Sequence, residues 1–389
     1  MVFHNHKYLM GLYVMFIMVG CRPDSEPAIL PKNVHQFSLE QSLNSNSTAL
    51  DINQYFNLTR AIILEFKDSM PIHNIFKVLI SAPSIFILDN VQNFIFVYDL
   101  QGRFLHRIGE IGDGPGEYLD ITDFVISNNE VIIFSNSSRK IIHYTSTGSL
   151  VKEIPIIHFG EAIVLFNDGY ILHTKNNVHP QMPYDLLLLN SAGEMVDRAQ
   201  KVNPGHPVFQ SSGFLLKNEL DNIRYMKTFG STIYSINEDF KLVPLYSIDL
   251  GSSALDVNKF TQPDELMMHY HEYTHMTNYF WENESVTLFY YFHDLKMRFG
   301  LIPDRGRILM TSNQFHDDAA IDVLRSIQSA AMYDDKLLVC THPGFNNSEY
   351  NFDLIDSLVQ WNPEIDSESD KKSTIENSNG VIFEMEILK

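Results

Sequence analysis

The sequence predicts an all-β chain folded as a six-bladed β-propeller with four-stranded antiparallel blades. Three observations carry this expectation. Most of the chain reads as short runs of five to seven residues rich in Ile, Val, Phe and Tyr, set off by Asn, Asp, Gly and Ser. Hairpin turns recur at nearly constant spacing, and an unpaired early strand is left over to close the ring.

The turns align as Tyr98 to Gly102, Tyr144 to Gly148 and Leu189 to Gly193, and the frame continues at Ile236 to Phe240 and Ile302 to Gly306. Each is a strand end, a polar turn and a new strand. Glycine at the last step suits a tight hairpin that needs positive φ, so Phe240 predicts a different geometry for the fourth turn. Positions 102, 148, 193, 240 and 306 are 46, 45, 47 and 66 residues apart. A period near 45 made of four short strands is that of propeller blades, and the long last step places an insertion between Gly251 and Asn278.

Reading outward from the turns, the first blade takes Ile75–Ile80, Ile85–Asp89, Phe94–Asp99 and Arg103–Ile108. The second takes Asp123–Ser127, Val131–Ser135, Lys140–Tyr144 and Leu150–Ile154. Similar quartets run to about Asp249, and another lies between Tyr279 and Thr311. Ala330–Tyr333, Lys336–Cys340, Val381–Leu388 and the early strand Ala61–Phe66 then make a sixth, composite blade, because an open ring would leave bare strand edges. Helical insertions are expected near 261–277 and 351–361, the second from the spacing of Phe352, Ile355 and Val359, with a polar loop following to Asn379.

The N-terminus reads as an export signal. Lys7 precedes an uncharged run, Tyr8–Gly20, too short to span a bilayer comfortably, and Met18-Val19-Gly20-Cys21 resembles a bacterial lipobox. The expected organisation is therefore a signal peptide at 1–20, a lipidated Cys21 and Pro-containing tether at 21–57, and the propeller at 58–389. The expected location is the cell envelope, at the outer membrane, held through lipid on Cys21. With Cys21 acylated, Cys340 is the sole thiol, at the end of a buried apolar run.

Charge limits the partners. With 28 Lys+Arg against 48 Asp+Glu, the net charge of −20 repels phosphate backbones and anionic lipid surfaces, so nucleic acid is excluded as a partner. Attachment to a membrane must come from the lipid.

One segment carries a family resemblance. Leu88-Asp89, the hairpin Tyr98-Asp99 to Gly102 and Phe104, then Gly112-Asp113-Gly114-Pro115-Gly116-Glu117-Tyr118 and Asp123-Phe124 resemble the six-bladed propeller lipoproteins of Gram-negative bacteria, related in fold to NHL-repeat propellers. The resemblance is close over residues 58–250 and looser beyond. It implies fold and export, and supplies no catalytic residue.

Two motifs invite a chemical reading. In Gly112–Tyr118, glycine-rich backbone can expose amides to a ligand, making Asp113, Gly114, Gly116, Glu117 and Tyr118 a candidate contact loop. The competing reading is a stiff connector with Glu117 bonded to backbone amides. The second motif, His271-Glu272-Tyr273-Thr274-His275, fits H-E-x-x-H. On a helix its imidazoles would share one face and grip zinc, with Glu272 as base and Glu282, Glu284 or His293 as third ligand. Pro263 and Asp264 favour such a helix, whereas the insertion context argues against a peptidase.

Tyr279-Phe280-Trp281 and Phe289 to Phe292 fit packing between blades, with sugar stacking as the alternative. The expectation is a binding or scaffolding module for an envelope protein or a glycan, with no cofactor and no catalysis. The alternative is a hydrolase, using zinc at His271, Glu272 and His275 or acids at the channel mouth.

Overall fold

A computed structural model describes residues 34–43, 51–66, 71–202, 212–218, 220–260, 262–303, 309–315, 319–342, 352–360 and 367–388. Within these residues the strands form six antiparallel four-stranded sheets, one of which carries a fifth strand. The strands of blade 1 are Lys77–Ser81, Ser84–Asp89, Phe94–Asp99 and Phe104–Ile108, innermost first. Those of blade 2 are Asp123–Ser127, Glu130–Ser135, Lys140–Thr145 and Leu150–Pro155. Blade 3 takes Ala162–Phe166, Gly169–His173, Tyr184–Leu189 and Met195–Lys201, and blade 4 Phe214–Lys217, Ile223–Met226, Thr232–Ile236 and Leu242–Asp249. Blade 5 takes His275–Glu282, Val286–His293, Lys296–Pro303 and Met310–Thr311.

Blade 6 closes the ring as expected. From the inside out its strands are Ser329–Tyr333, Lys336–Thr341, Val381–Ile387 and the early strand Phe56–Ile63, which pairs antiparallel with Ala61 opposite Phe383. Covering the outer edge of the last blade with the earlier strand ties the two parts of the chain together and leaves no break in the ring. Asn379 pins the seam with blade 1: its side chain accepts from the Ile72 amide at 2.9 Å and donates to the Tyr98 hydroxyl at 3.0 Å.

The strands read as continuous apolar runs because both faces are buried. In Ser84–Asp89, Ile85 and Ile87 face blade 6 beside Leu338 and Ile382, while Phe86 and Leu88 face blade 2 beside Phe124 and Ile133. Each of the six blade-to-blade interfaces holds one such apolar cluster. Burying both faces removes the polar alternation of a one-sided sheet, leaving the turns as the legible punctuation.

Those turns share one geometry, Phe240 included. The amides of Gly102, Gly148, Gly193 and Phe240 each donate to the carbonyl three residues back, at 2.9–3.0 Å. All four residues have positive φ, 82°, 90°, 82° and 58° in turn. The expectation of a different fourth turn is therefore corrected. Asn237 Oδ1 accepts from the Asp239 and Lys241 amides and holds the loop, while the buried Phe240 ring packs edge-on against Phe166 of blade 3 at 6.0 Å. Burial of a phenyl ring, about 1.5–3 kcal/mol, offsets the left-handed backbone cost of about 1–2 kcal/mol. The fifth expected turn, at Gly306, lies outside the described residues.

Three further corrections concern the tether and the two insertions. Within the stretch expected as tether, His35–Ser38 adds a parallel fifth strand to blade 4, with His35 opposite Tyr246 and Phe37 opposite Ile248. Phe37 and Leu39 enter the cluster between blades 4 and 5, so the propeller body begins well before residue 58. The expected helix near 351–361 is present as Phe352–Leu358, but the polar stretch after it also contains a helix, Glu368–Glu376, and another spans Ala319–Arg325. The insertion before blade 5 is helical only over Pro263–His269 and passes through a tight turn, Tyr270–Glu272, into the strand that starts at His275.

Candidate functional site: the central channel

The inner strands of all six blades line a central cavity of about 600 Å³, a volume typical of small-ligand sites. Ring closure brings together residues that are far apart in sequence. At one end, the Lys77 ammonium lies 2.6 Å from Asp123 and donates to the Phe124 carbonyl at 2.8 Å. The other oxygen of Asp123 accepts the Ile163 amide at 2.8 Å, so one buried carboxylate joins blades 1, 2 and 3.

Lys175 lines the same end and is itself buried. Burial pushes its ammonium below the ordinary lysine value, an effect the Asp123 and Glu161 carboxylates oppose. The backbone that presents it is unusual: Lys175 and Asn176 both lie in the left-handed region, at φ 49° and 67°. Consecutive left-handed residues other than glycine cost on the order of 1–3 kcal/mol each and persist only where the surroundings enforce them. Here Asp185 accepts from Thr174 Oγ1 at 3.0 Å and from the Asn176 amide at 3.2 Å, fixing the turn.

At the opposite end, Glu282 receives Arg224 Nε at 2.7 Å, Asn218 Nδ2 at 2.9 Å and the Tyr246 hydroxyl at 3.2 Å. Between the ends, Tyr279 and Trp281 of blade 5 line the cavity with half-buried rings stacked at 5.7 Å. Tyr279 donates to the Gln328 carbonyl at 3.0 Å and Trp281 to the Ala330 carbonyl at 2.9 Å, pinning blade 5 to blade 6. Their polar tips are satisfied by protein, leaving carbon surface toward the cavity.

The glycine-rich segment lies elsewhere. Glu110–Ile111 pairs in parallel with Glu117–Tyr118, closing the loop on itself at the outer side of blades 1 and 2. Glu117 accepts the Gly114 amide at 2.8 Å, and Glu153 accepts that of Gly116 at 2.7 Å. Tyr144 donates to the Gly116 carbonyl, and the buried Tyr118 hydroxyl to the Ile108 carbonyl. A Cβ on Gly112 would stand 2.1 Å from the Glu117 carboxylate. Asp113 and Pro115 are exposed, Gly114 and Gly116 half-buried, and none of them lines the channel. The Gly114 and Gly116 amides are thus taken by carboxylates of the chain itself.

The H-E-x-x-H segment does not lie on one helix, which corrects the geometry expected for it. His271 and Glu272 belong to the tight turn, and Glu272 pairs with His269 at 2.8 Å. His275 is the first residue of the inner strand of blade 5, buried and stacked flat on Phe292 at 5.3 Å, with Nδ1 donating to the Tyr273 carbonyl. Glu282 is engaged by Arg224, and His293 lies beside Asp294 at 3.3 Å. Among the described residues no three His, Cys, Asp or Glu side chains are grouped to hold a metal ion.

Cys21 and the run before it lie outside the described residues. Cys340 is fully buried, and burial pushes its thiol well above the ordinary range. Among the described residues no helix is long and apolar enough to cross a membrane.

Sequence reading missed the channel charges. Lys77 and Asp123 each stand 25 residues before the glycine of their blade's turn, a phase that could have marked them. Lys175 has no comparable signal.

Six blades around one channel, closed by an early strand, define the class as a six-bladed propeller with a central cavity. The chain belongs to the family described as a domain of unknown function, DUF4934, which matches residues 34–324. No curated protein matches. Among solved structures, the chain is similar to a protein of Bacteroides fragilis NCTC 9343 assigned as exported, at 16% identity and TM-score 0.70, over 92% of this chain and 100% of that one. It is also similar to a DUF4221 family member from Bacteroides vulgatus, at 9% identity and TM-score 0.56, over 86% and 99%. These likenesses concern the fold.

Proposed function

We propose that the protein is an exported binding module, held at the cell envelope through lipid on Cys21, whose channel receives a protein or glycan partner without turning it over. The observation that carries the reading is the cavity itself: about 600 Å³, lined by all six inner strands, with carbon surface at its waist and fixed charges at its ends. Supporting export are the uncharged run Tyr8–Gly20 ahead of Cys21 and the fold shared with a protein assigned as exported. The outer membrane is the proposed location. The stiff ring keeps the channel walls fixed while the lipid holds the body at the surface.

Two measurements test this. Replacing Cys21 by Ser should move the protein from the membrane fraction to the soluble fraction, and continued retention would refute lipidation. Turnover of a peptide or a glycan by the purified mature chain would refute a purely binding role.

A further inference from the structure

We infer that the central channel recognises an uncharged saccharide of two or three units, a deepening of the binding role proposed above that rests on it. The first argument is electrostatic. The chain carries −20 overall, yet the charges around the channel compensate one another. At one end Lys77 faces Asp123 at 2.6 Å, and Lys175 lies in the field of Glu161 and Asp123. At the other, Arg224 holds Glu282 at 2.7 Å and Lys217 holds Asp221 at 2.9 Å. Four cations meet four carboxylates, so a strongly charged ligand would leave one member of a pair uncompensated. An uncharged ligand would leave every pair in place.

The second argument is the kind of surface between those ends. Tyr279 and Trp281 offer carbon faces with their polar tips already bonded to blade 6. Beside them Asn278 lines the cavity, and the buried Gln328, whose Nε2 donates to Asn74 Oδ1 at 2.7 Å, keeps an Oε1 with no hydrogen-bond partner among the described residues. The Asn278 amide carries a donor and an acceptor and the Gln328 oxygen a further acceptor, groups that hydroxyls can pair with. A ligand with a C–H face and hydroxyls around its edge matches both features, and a cavity of this volume admits only a few sugar units.

Trp281 reports on the site directly. The chain has two tryptophans, Trp281 and Trp361, so in a Trp361→Phe variant the emission comes from the channel alone. Maltotriose, cellotriose, xylotriose and N,N′-diacetylchitobiose are titrated into that variant, with digalacturonate and neutral tripeptides as comparison ligands.

The expected result is a saturable change in emission with at least one neutral saccharide and none with digalacturonate. Isothermal titration of the otherwise unaltered chain should give the same affinity. Trp281→Ala should weaken that affinity about tenfold or more, a stacking contribution of the size such rings make, whereas Tyr279→Phe, which keeps its ring, should stay within about threefold. Because Trp281→Ala also removes a blade-to-blade hydrogen bond, its fold is checked by circular dichroism, and the fluorescence titration stands without it.

Silence from all four saccharides at millimolar concentration overturns the inference. A Trp281 response to peptides only overturns the saccharide class while leaving a binding module. Saccharide cleavage overturns the non-catalytic role while leaving the ligand class.

Discussion

Asp185 in blade 3 accepts the phenolic hydrogen of Tyr225 in blade 4 at 2.7 Å, and both side chains are completely buried. The same carboxylate bonds His173 Nε2 at 3.2 Å and fixes the backbone that carries Lys175 into the channel. Burial alone would raise its pKa. The His173 imidazole and the hydrogen bonds from His173, Tyr225 and the Asn176 amide outweigh burial and hold the carboxyl well below the usual range. One acid thus joins the packing of two blades to the shape of the channel.

Asp185→Asn should therefore destabilise the fold by about 3–5 kcal/mol, the cost of breaking a buried polar network by removing its charged member. Tyr225→Phe, which removes one donor and leaves the packing, should cost about 1–3 kcal/mol. Because the folded pKa is depressed, the stabilisation is present above the unfolded value and disappears as pH falls through the folded one. Urea midpoints at neutral pH, compared with the unaltered chain, check the ranking. Equal costs for the two variants would count against it.

The turn glycines should rank by what lies beside them. At Gly148, a Cβ would meet nothing closer than the Arg107 carbonyl oxygen at 3.7 Å, so Gly148→Ala should cost only the left-handed backbone penalty, about 1–2 kcal/mol. At Gly102 and Gly193, a Cβ would stand 2.3 Å from the Ile63 carbonyl oxygen and 2.6 Å from that of Pro155. Each of those oxygens belongs to the outer strand of the neighbouring blade or the residue ending it, so Gly102→Ala and Gly193→Ala should cost at least about twice as much as Gly148→Ala. Phe240→Gly relieves φ but deletes a buried ring, and should destabilise by about 3 kcal/mol or more. Thermal or urea unfolding of the four variants provides the comparison.

Residues ahead of blade 1 should matter to stability, although they read as tether. Leu39 is fully buried between blades 4 and 5, so Leu39→Ala should cost about 2–5 kcal/mol. Lys259→Ala, at an exposed position, should leave the urea midpoint unchanged within error.

These variants trace what the sequence could and could not convey. The blades were legible because burial of both strand faces makes runs such as Ile85–Leu88 continuously apolar, and because the turns at Gly102, Gly148 and Gly193 fall in step. The clasp His35–Ser38 was not, since a parallel strand on an outer edge buries little: Phe37 and Leu39 are its only strong signals, in polar surroundings. Helix Glu368–Glu376 buries Ile375 alone, and so shows no apolar stripe.

His271 and His275 satisfied a helical spacing that the chain abandons at the edge of blade 5, where sheet pairing through His275 opposite Phe292 overrides local propensity. The channel charges have no local motif. Lys77, Asp123, Glu161 and Lys175 span almost one hundred residues and meet only because three blades turn around one axis.

The fate of His275 also sets an acid limit on stability. Burial holds its imidazole below the ordinary value, as it does for His143 and His158. The unfolded chain, with imidazoles titrating near about 6.5, therefore binds protons that the folded chain refuses. Stability must then fall as pH drops below about 6.5 toward the folded values, and rise to a plateau above it. Urea midpoints from pH 8 to pH 5 should show this decline before the carboxylates begin to protonate. His275→Phe preserves a ring against Phe292 and deletes the titrating group, so it should lessen the slope between about pH 6.5 and 5.5 while His143 and His158 keep the remainder. An unaltered slope in that variant would mean that His275 charges without penalty, which its flat stacking on Phe292 and its burial in the inner strand of blade 5 argue against.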